Sequence, residues 1–286
     1  MAEKIALITD STCDIPADWL QQFDIVKVPL TIIWNNETFL DGVDITPEEF
    51  YDRLAKDPRI PTTSQPTPQD FVDRYIEAEA KGYDQILVMT ISSAMSGTYL
   101  SAKLAAENSP IPVQVVDSRS NSMGLGWQVI NAARTRNAGA GIKEMIAAAE
   151  KIRSKIAYYI SLDTIKYLDK GGRIGDAVKL LNSIIKIKPL ILVNHTSGTV
   201  GASVPARSRS SAIEGLIKQF FKHVNTNFPL HITVLHNAAD QEAEALADRI
   251  RKEYNPAELF VSIVSPILGV HTGPRAIALC GYSEEN

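Results

Sequence analysis

The chain has 286 residues, 45% of them apolar and 22% charged, and a formal net charge of -4. This length suits one large or two ordinary domains, and the composition argues against a disordered chain. The negative net charge disfavours nucleic acid as the main partner, and no stretch approaches the roughly 20 apolar residues that span a bilayer.

Strands and helices alternate through the first half of the sequence. The run "KIALITDST" predicts a buried strand that ends in Asp and hydroxyl residues, and "DIPADWLQQF" predicts a helix with Asp14 as its N-cap. The apolar run "IVKVPLTIIW" is followed by a predicted hairpin and by a helix that opens at Thr46. Helices are then predicted over about 69–81, "MSGTYLSAKLAAEN", 123–136 and 142–154, and strands at "DQILVMTISS" and "PVQVVDS". This alternation indicates βαβ units on a mostly parallel sheet.

The second half of the sequence has a different order of elements. "IAYYISL" predicts a strand, "DTIKYLDKGG" a helix closing on two glycines, "IGDAVKLLNSIIK" a helix, and "IKPLILVNHTSGTVGASVPA" two strands around a Ser-Gly turn. A helix over 208–224, a strand, an amphipathic helix and another strand follow, and "GVHTGPRAIALCGYS" predicts a turn and a final strand. We therefore predict an α/β protein with two domains. Residues 1–157 form an N-terminal domain with a mostly parallel sheet and flanking helices, and residues 158–286 form a C-terminal α/β sandwich, whose last strand is a candidate to return to the other domain.

The cysteines and the N-terminus indicate the compartment. Cys13 and Cys280 lie in no C-x-x-C motif and no Cys/His cluster, so no zinc site is predicted and both thiols are expected to be reduced and buried. "MAEKIALITD" turns acidic without the apolar core and cleavage site of a signal peptide, so we expect a cytoplasmic location.

The segment "TISSAMSGTYLSAKLAAE" is the richest candidate for a site. A strand ends in hydroxyl residues and a helix starts around Ser96 and Gly97. Free N–H groups at a helix start, together with a glycine that allows close approach, can bind an anion; ordinary N-capping by Ser96 is the alternative. An enzymatic alternative is hydrolysis or transfer through Ser96, His271 and Asp10, although the G-x-S-x-G motif of a nucleophile elbow is absent.

Four basic or titratable positions complete the candidates. "KGGR" either ends a helix on glycines or aims Arg173 at a carboxylate or phosphate. His271, in "LGVHTGPRA", is expected in a turn at a cleft, with a structural role as the alternative. Arg207 and Arg209 stand at the head of a predicted helix, where the helix dipole disfavours cations, so we expect them to face water or an acidic partner surface. The sequence contains neither a P-loop motif nor a G-x-G-x-x-G motif after the first strand, so nucleotide binding by this chain is not predicted.

Several stretches together resemble the DegV family, which includes the fatty-acid-binding subunits of bacterial fatty acid kinase. In family order, they are "ITDSTCDIP", "LDGVDIT", "TSQPTPQDF", "SSAMSGTYLSA", "YLDKGGRIG", "KPLILV" and "VHTGPRAIAL". The resemblance implies a fatty acid bound in an apolar pocket between or beside two α/β domains. It further implies no cofactor, no catalytic residue on this chain, and a separate ATP-dependent kinase that makes the acyl phosphate for phospholipid synthesis. An acyltransferase that uses the acyl phosphate and transient membrane contact are further expected partners.

Carried over to this sequence, the resemblance places carboxylate contacts at Thr63 and Ser96. The complete predicted ligand-binding set is Thr63, Ser64, Ser96, Gly97, Arg173 and His271. Arg207 and Arg209 are predicted to dock the kinase. In "PTTSQPTPQDF" we expect Thr63 and Ser64 in a loop across from Ser96, and Thr67 as the N-cap of the next helix with Pro68 at its first position.

Overall fold

The computed structural model describes residues 3–180 and 187–285. Its strands are β1 (Ile5–Asp10), β2 (Ile25–Val28), β3 (Thr31–Trp34), β4 (Glu37–Leu40), β5 (Thr62–Ser64), β6 (Gln85–Thr90), β7 (Val113–Asp117), β8 (Ala157–Ser161), β9 (Leu190–Asn194), β10 (Thr199–Ala202), β11 (Leu230–His236), β12 (Glu258–Ile263) and β13 (Ile277–Ser283). Its α-helices are α1 (Ala17–Gln22), α2 (Pro47–Lys56), α3 (Pro68–Ala80), α4 (Thr98–Ala106), α5 (Ser122–Asn137), α6 (Ile142–Arg153), α7 (Lys166–Lys170), α8 (Arg209–His223), α9 (Asp240–Tyr254) and α10 (Pro266–Thr272), with 3₁₀ turns at Ser11–Cys13 and Gly175–Leu180.

The first sheet is parallel throughout, in the order β2-β1-β6-β7. Strands β1 and β6 are almost entirely buried, which suits the central strands of a parallel sheet covered on both faces. Because parallel strands end at the same edge, Asp10, Thr90 and Asp117 meet there as the last residues of β1, β6 and β7. The predicted mostly parallel sheet is confirmed.

The second large sheet is mixed, in the order β10-β9-β8-β13-β11-β12. All neighbours are antiparallel except β11 and β12. The last strand, β13, lies in the middle of this sheet, between β8 and β11. Helix α5 is buried along most of its length and contacts β1, β6 and β13, so it packs between the two large sheets. The α/β class is confirmed, and the domain boundary near residue 157 stays a prediction.

A small antiparallel sheet, β4-β3-β5, carries the hydroxyl-rich segment. Asn35 and Asn36, both at positive φ, form the β3–β4 turn, as expected of a tight hairpin. Thr63 pairs with Ile32 of β3. The expectation that Thr63 and Ser64 lie in a loop is therefore wrong: they form the short edge strand β5, which the extended backbone before Pro66 favours.

The predicted helix starts have mixed outcomes. Thr46 and Thr67 each form a capping box with the third helical residue, as their sequences predict. Asp14 does not cap α1; it adopts a left-handed conformation after the first 3₁₀ turn, and its carboxylate is engaged elsewhere in the core. The N-cap of α4 is Gly97 rather than Ser96.

The described part of the chain, 3–180 and 187–285, contains no helix that is long and apolar enough to cross a bilayer. Of the helix predicted in "IGDAVKLLNSIIK", residues 175–180 form a 3₁₀ turn, and 181–186 lie outside the described residues.

Candidate functional site

A cavity lies between the second large sheet and the edge of the first sheet at which its strands end. Strands β8, β9, β10, β11 and β13 of the second sheet form one wall, and the opposite wall comes from β5 and from segments that follow strands of the first sheet, with Thr12, Leu30 and Ile91. The cavity contains about 1120 Å³ of atom-free space, part of which opens to solvent. Its apolar lining consists of Leu30, Ile91, Met95, Ile160, Leu168, Ile191, Val193, Val200, Leu235, Val264, Ile267, Leu268, Ala276 and Ala278. Such a space, in which apolar side chains form more of the wall than polar ones, is typical of a site for an amphipathic ligand.

Polar side chains from four separate segments gather at one part of this cavity, which we call the mouth: Thr63, Ser64, Ser96, Arg173 and His271. Thr63 Oγ1 and His271 Nε2 are hydrogen-bonded at 3.0 Å. Arg173 donates from Nε to the Met95 carbonyl (3.2 Å) and from Nη1 to the Gly171 carbonyl (2.7 Å). The guanidinium is thus hydrogen-bonded to Met95, the residue before Ser96. The predicted site residues Arg173 and Ser96 therefore lie close together.

Gly97 differs from the other predicted contacts, because it does not line the cavity. A Cβ atom at this position would lie 2.0 Å from Oε1 of Gln65. The glycine therefore lets the Gln65 side chain cross the start of α4, where its Nε2 donates to Ser101 Oγ (3.3 Å). Gln65 lines the cavity and was not predicted as a site residue; its place directly after Thr63 and Ser64 in "TSQPT" was the available signal.

His271 lies in the last turn of α10 rather than in the predicted turn. Pro266 at the first position and Gly273, at φ 71°, after the last one allow a seven-residue helix in this glycine-rich stretch. Burial and, to a smaller extent, the positive charge of Arg173 together lower the pKa of His271 to about 4. The ring is therefore neutral at pH 7 and meets Thr63 as an uncharged hydrogen-bonding group.

Two buried carboxyl groups hold the other end of α10, and sequence reasoning missed both roles. Asp14 Oδ1 accepts from the Ser265 backbone N–H (3.0 Å), and Asp41 Oδ1 accepts from the Ile267 backbone N–H (3.2 Å). Burial raises the pKa of Asp14 to about 6 and that of Asp41 to about 7. The stretches "ITDSTCDIP" and "LDGVDIT" thus meet at the helix whose far end carries His271.

The residues of the hydrolase alternative have other partners. Ser96 Oγ is hydrogen-bonded to Thr98 Oγ1 (2.9 Å), and His271 Nε2 to Thr63. The Asp10 carboxylate accepts from the backbone N–H groups of Thr12 and Ile91. Ser96, His271 and Asp10 therefore do not form the hydrogen-bonded chain of a nucleophile, base and acid in this structure.

Comparison with known proteins places this geometry in a family. The family model described as "Uncharacterised protein, DegV family" matches residues 4–284. The chain belongs to the DegV family. A DegV domain-containing protein of Clostridium acetobutylicum is 37% identical over 278 residues, covering 97% of this chain and 98% of that protein. The predicted resemblance is thereby confirmed.

Solved DegV structures share the fold over almost the full length. A DegV family protein from Thermus thermophilus, described as binding fatty acid, superimposes with a TM-score of 0.91 at 31% identity, covering 98% of this chain and 99% of that one. A DegV lipid-binding protein from Thermotoga maritima gives a TM-score of 0.89 at 28% identity, with 99% of each chain covered. The DegV-like stretches of the present chain that hold Thr63, Ser96, Arg173 and His271 all reach the mouth.

The two arginines of the predicted docking site of this DegV chain have different surroundings. Arg207 is exposed. Arg209 instead donates from Nε to Glu242 Oε2 of α9 (2.7 Å), and its side chain is only 20% exposed. We expected both arginines to face water or a partner, and this is wrong for Arg209. Its positive charge at the start of α8 is paired with the carboxylate of Glu242. The docking role of the pair stays a prediction.

Both cysteines belong to the described part of this DegV chain. Cys13 and Cys280 are buried and free, as expected. Within residues 3–180 and 187–285, no three His, Cys, Asp or Glu side chains form a group that could hold a metal ion.

Proposed function

We propose that this chain binds a long-chain fatty acid, with the tail in the cavity and the carboxylate at the mouth, and presents that carboxylate to a separate ATP-dependent kinase. The observation that carries the proposal is the cavity itself, apolar along its wall and polar where Thr63, Ser96, Arg173 and His271 meet. The fatty acid binding described for the related Thermus thermophilus protein supports the same ligand class. The chain acts as a carrier and performs no catalysis of its own.

The tail and the mouth contribute differently to binding. Burial of about 15 methylene groups at about 0.8 kcal/mol each gives on the order of 12 kcal/mol before the costs of ordering the ligand. One hydrogen bond to a charged group contributes only about 1.5–3 kcal/mol net. The tail therefore sets the affinity, and the hydroxyl groups of Thr63 and Ser96 set the position of the carboxylate.

The mouth chemistry suits a carboxylate that must act as a nucleophile. One carboxylate oxygen attacks the γ-phosphorus of ATP on the kinase, a P–O bond forms, and the bond to ADP breaks. Neutral donors such as Thr63 and the uncharged His271 ring withdraw less charge from the carboxylate than a bidentate arginine would. Arg173, held by two backbone carbonyls, is left to meet the incoming phosphoryl group. We place this reaction in the cytoplasm, upstream of an acyltransferase of phospholipid synthesis.

Lipid analysis of the purified protein tests the proposal. Native mass spectrometry, or extraction followed by gas chromatography, should find about one long-chain fatty acid per chain in protein purified from bacteria. Ser96→Ala should weaken fatty acid binding by about 1.5–3 kcal/mol without abolishing it, because the carboxylate loses one hydrogen-bonding group while the tail keeps its contacts. An empty wild-type protein that hydrolyses a generic ester would contradict the proposal and favour the enzymatic alternative.

The kinase step has its own test. Arg173→Ala should reduce acyl-phosphate formation by an added fatty acid kinase and ATP far more than it reduces fatty acid binding. Equal losses in both measurements would count against the assigned role of Arg173.

A further inference from the structure

A second pocket adjoins the mouth and shares Thr63, Arg173 and His271 with it, and we call it the outer pocket. It contains about 660 Å³ of atom-free space, including open solvent. Its lining includes Thr63, His271, Lys170, Arg173, Ile60 and Val270. Among the described residues that line it, none is acidic, so the two cations Lys170 and Arg173 set its charge.

The outer pocket and the cavity share one wall. Thr63, His271 and Arg173 line both spaces, and the hydrogen bond between Thr63 and His271 lies in that wall. A carboxylate held at the mouth therefore has the apolar cavity on one side and the outer pocket on the other. Any group that becomes attached to a carboxylate oxygen, and that cannot enter the apolar cavity, is directed into the outer pocket.

The positive charge of the outer pocket is not neutralised by the described protein. Arg173 is bonded to two neutral carbonyl groups, and neither Arg173 nor Lys170 forms an ion pair within residues 3–180 and 187–285. Lys170 is the last residue of α7 and its side chain is exposed, so it can reach an anion without losing a protein partner. The ammonium group acts as a mobile point charge beside the more rigid guanidinium.

We propose that the outer pocket binds the phosphoryl group of the acyl phosphate, with Lys170 as a phosphate contact beside Arg173. This inference rests on the proposed function. Phosphoryl transfer replaces a carboxylate of charge -1 by a phosphate group of about -2, with ADP as the leaving group. Lys170 should consequently favour the phosphorylated product over the free fatty acid. Lys170 lines the outer pocket and not the cavity, so it is separate from the residues that contact the carboxylate.

Binding of two matched probes to the full, delipidated chain tests this assignment. Palmitate reports on the cavity and mouth, and hexadecylphosphonate, which does not hydrolyse, adds a dianionic head group; both compete against a fluorescent fatty acid. Lys170→Ala should weaken hexadecylphosphonate binding by about fivefold, the upper end of the loss expected for a charge pair at an exposed site, and palmitate binding by less than about twofold. Lys170→Arg should restore most of the phosphonate affinity.

Lys166→Ala is the control, since Lys166 is an exposed lysine of the same helix that lines neither space. It should leave both affinities within about twofold of wild type. Equal phosphonate affinity in wild type and Lys170→Ala, or an equal loss for both probes, would overturn the phosphate assignment while leaving the fatty acid proposal intact. A wild-type protein that binds neither probe would instead contradict the proposed function.

Discussion

At the residue scale, burial fixes the charge of His271. The ring sits against Thr63 at the mouth, and its lowered pKa of about 4 keeps it neutral at physiological pH. A cationic imidazolium would pair with the fatty acid carboxylate and draw charge from its oxygens. The neutral ring can position Thr63 and the ligand with less loss of nucleophilicity.

The lowered pKa of His271 predicts how the free energy of unfolding depends on pH. A histidine of the unfolded chain has a pKa of about 6.5, so between pH 6.5 and 4 the unfolded state binds a proton that folded His271 does not. Its contribution to the free energy of unfolding therefore falls as the pH is lowered through this window. Relative to wild type, His271→Gln, which retains an amide for Thr63, should gain about 2–3 kcal/mol between pH 7.5 and 4.5 in urea unfolding.

A second histidine provides the control. Burial also lowers the pKa of His195 to about 4, and His195 does not line the cavity. His195→Gln should show a similar relative gain at low pH, with unchanged palmitate affinity, whereas His271→Gln should also alter palmitate affinity. A His271→Gln variant with the pH slope of wild type would contradict the neutral assignment.

At the element scale, α10 links buried carboxyl groups of the N-terminal half to the mouth of the cavity. Its first residues are held by Asp14 and Asp41 of the N-terminal half, and its last turn presents His271 and Thr272 to the cavity. A seven-residue helix has little intrinsic stability, so these tertiary hydrogen bonds fix its position. Asp14 and Asp41 therefore act on the ligand site through the helix rather than by touching the ligand.

Asp41→Asn tests the buried carboxyl group. Its folded pKa of about 7 exceeds the unfolded value of about 3.9, so the folded chain keeps a proton that the unfolded chain releases, and stability is lost as the pH rises through 7. Asn keeps an oxygen for the Ile267 N–H and cannot ionise. Relative to wild type, the variant should gain about 2–3 kcal/mol of unfolding free energy between pH 5 and pH 8.

The exposed Asp44 of the same loop offers a matched variant. Asp44→Asn should retain the wild-type dependence on pH over this range. If Asp41→Asn and wild type ran parallel from pH 5 to pH 8, the Asp41 carboxyl group would not be the protonated group of the folded state.

The same elements show what a sequence can and cannot predict. The starts of α2 and α3 were predictable because Thr46 and Thr67 cap through residues only three positions away. Helix α10 was not, because its start depends on Asp14 and Asp41, more than 200 positions earlier in the chain. The edge strand β5 was missed for the same reason, since its partner β3 is remote in sequence.

At the scale of the whole molecule, the cavity wall could not be read from the sequence. Ala278 lines the cavity, while its neighbour Leu279 packs in the core on the opposite face of β13. Both are buried apolar residues of one strand, and only the assembled sheets distinguish their faces. The mouth was more predictable, because Thr63, Ser96, Arg173 and His271 lie in stretches that resemble the DegV family. From the residues alone, a structural role stayed open for Ser96, Arg173 and His271.

The shared core makes a final prediction about cooperativity. The largest core cluster joins both large sheets through α5, since it includes Leu7 of β1, Trp127 of α5 and Ile191 of β9, and the cavity is lined by residues from both halves of the chain. We therefore expect a single unfolding transition, which a ligand of the folded state shifts upward by mass action. Palmitate at 100 times its Kd should add about 2.7 kcal/mol, or roughly 5 °C in Tm for a chain of this size.

Differential scanning calorimetry with palmitate and with methyl palmitate measures both parts of this expectation. Methyl palmitate keeps the tail and removes the charged carboxylate, so it should still raise the Tm, though less than palmitate at equal concentration. We expect this result because the contacts of the tail in the cavity supply most of the binding free energy, while the polar groups of the mouth mainly position the carboxylate. Two resolved transitions, with only one shifted by palmitate, would show that the ligand binds within one half of the molecule instead of contacting both halves.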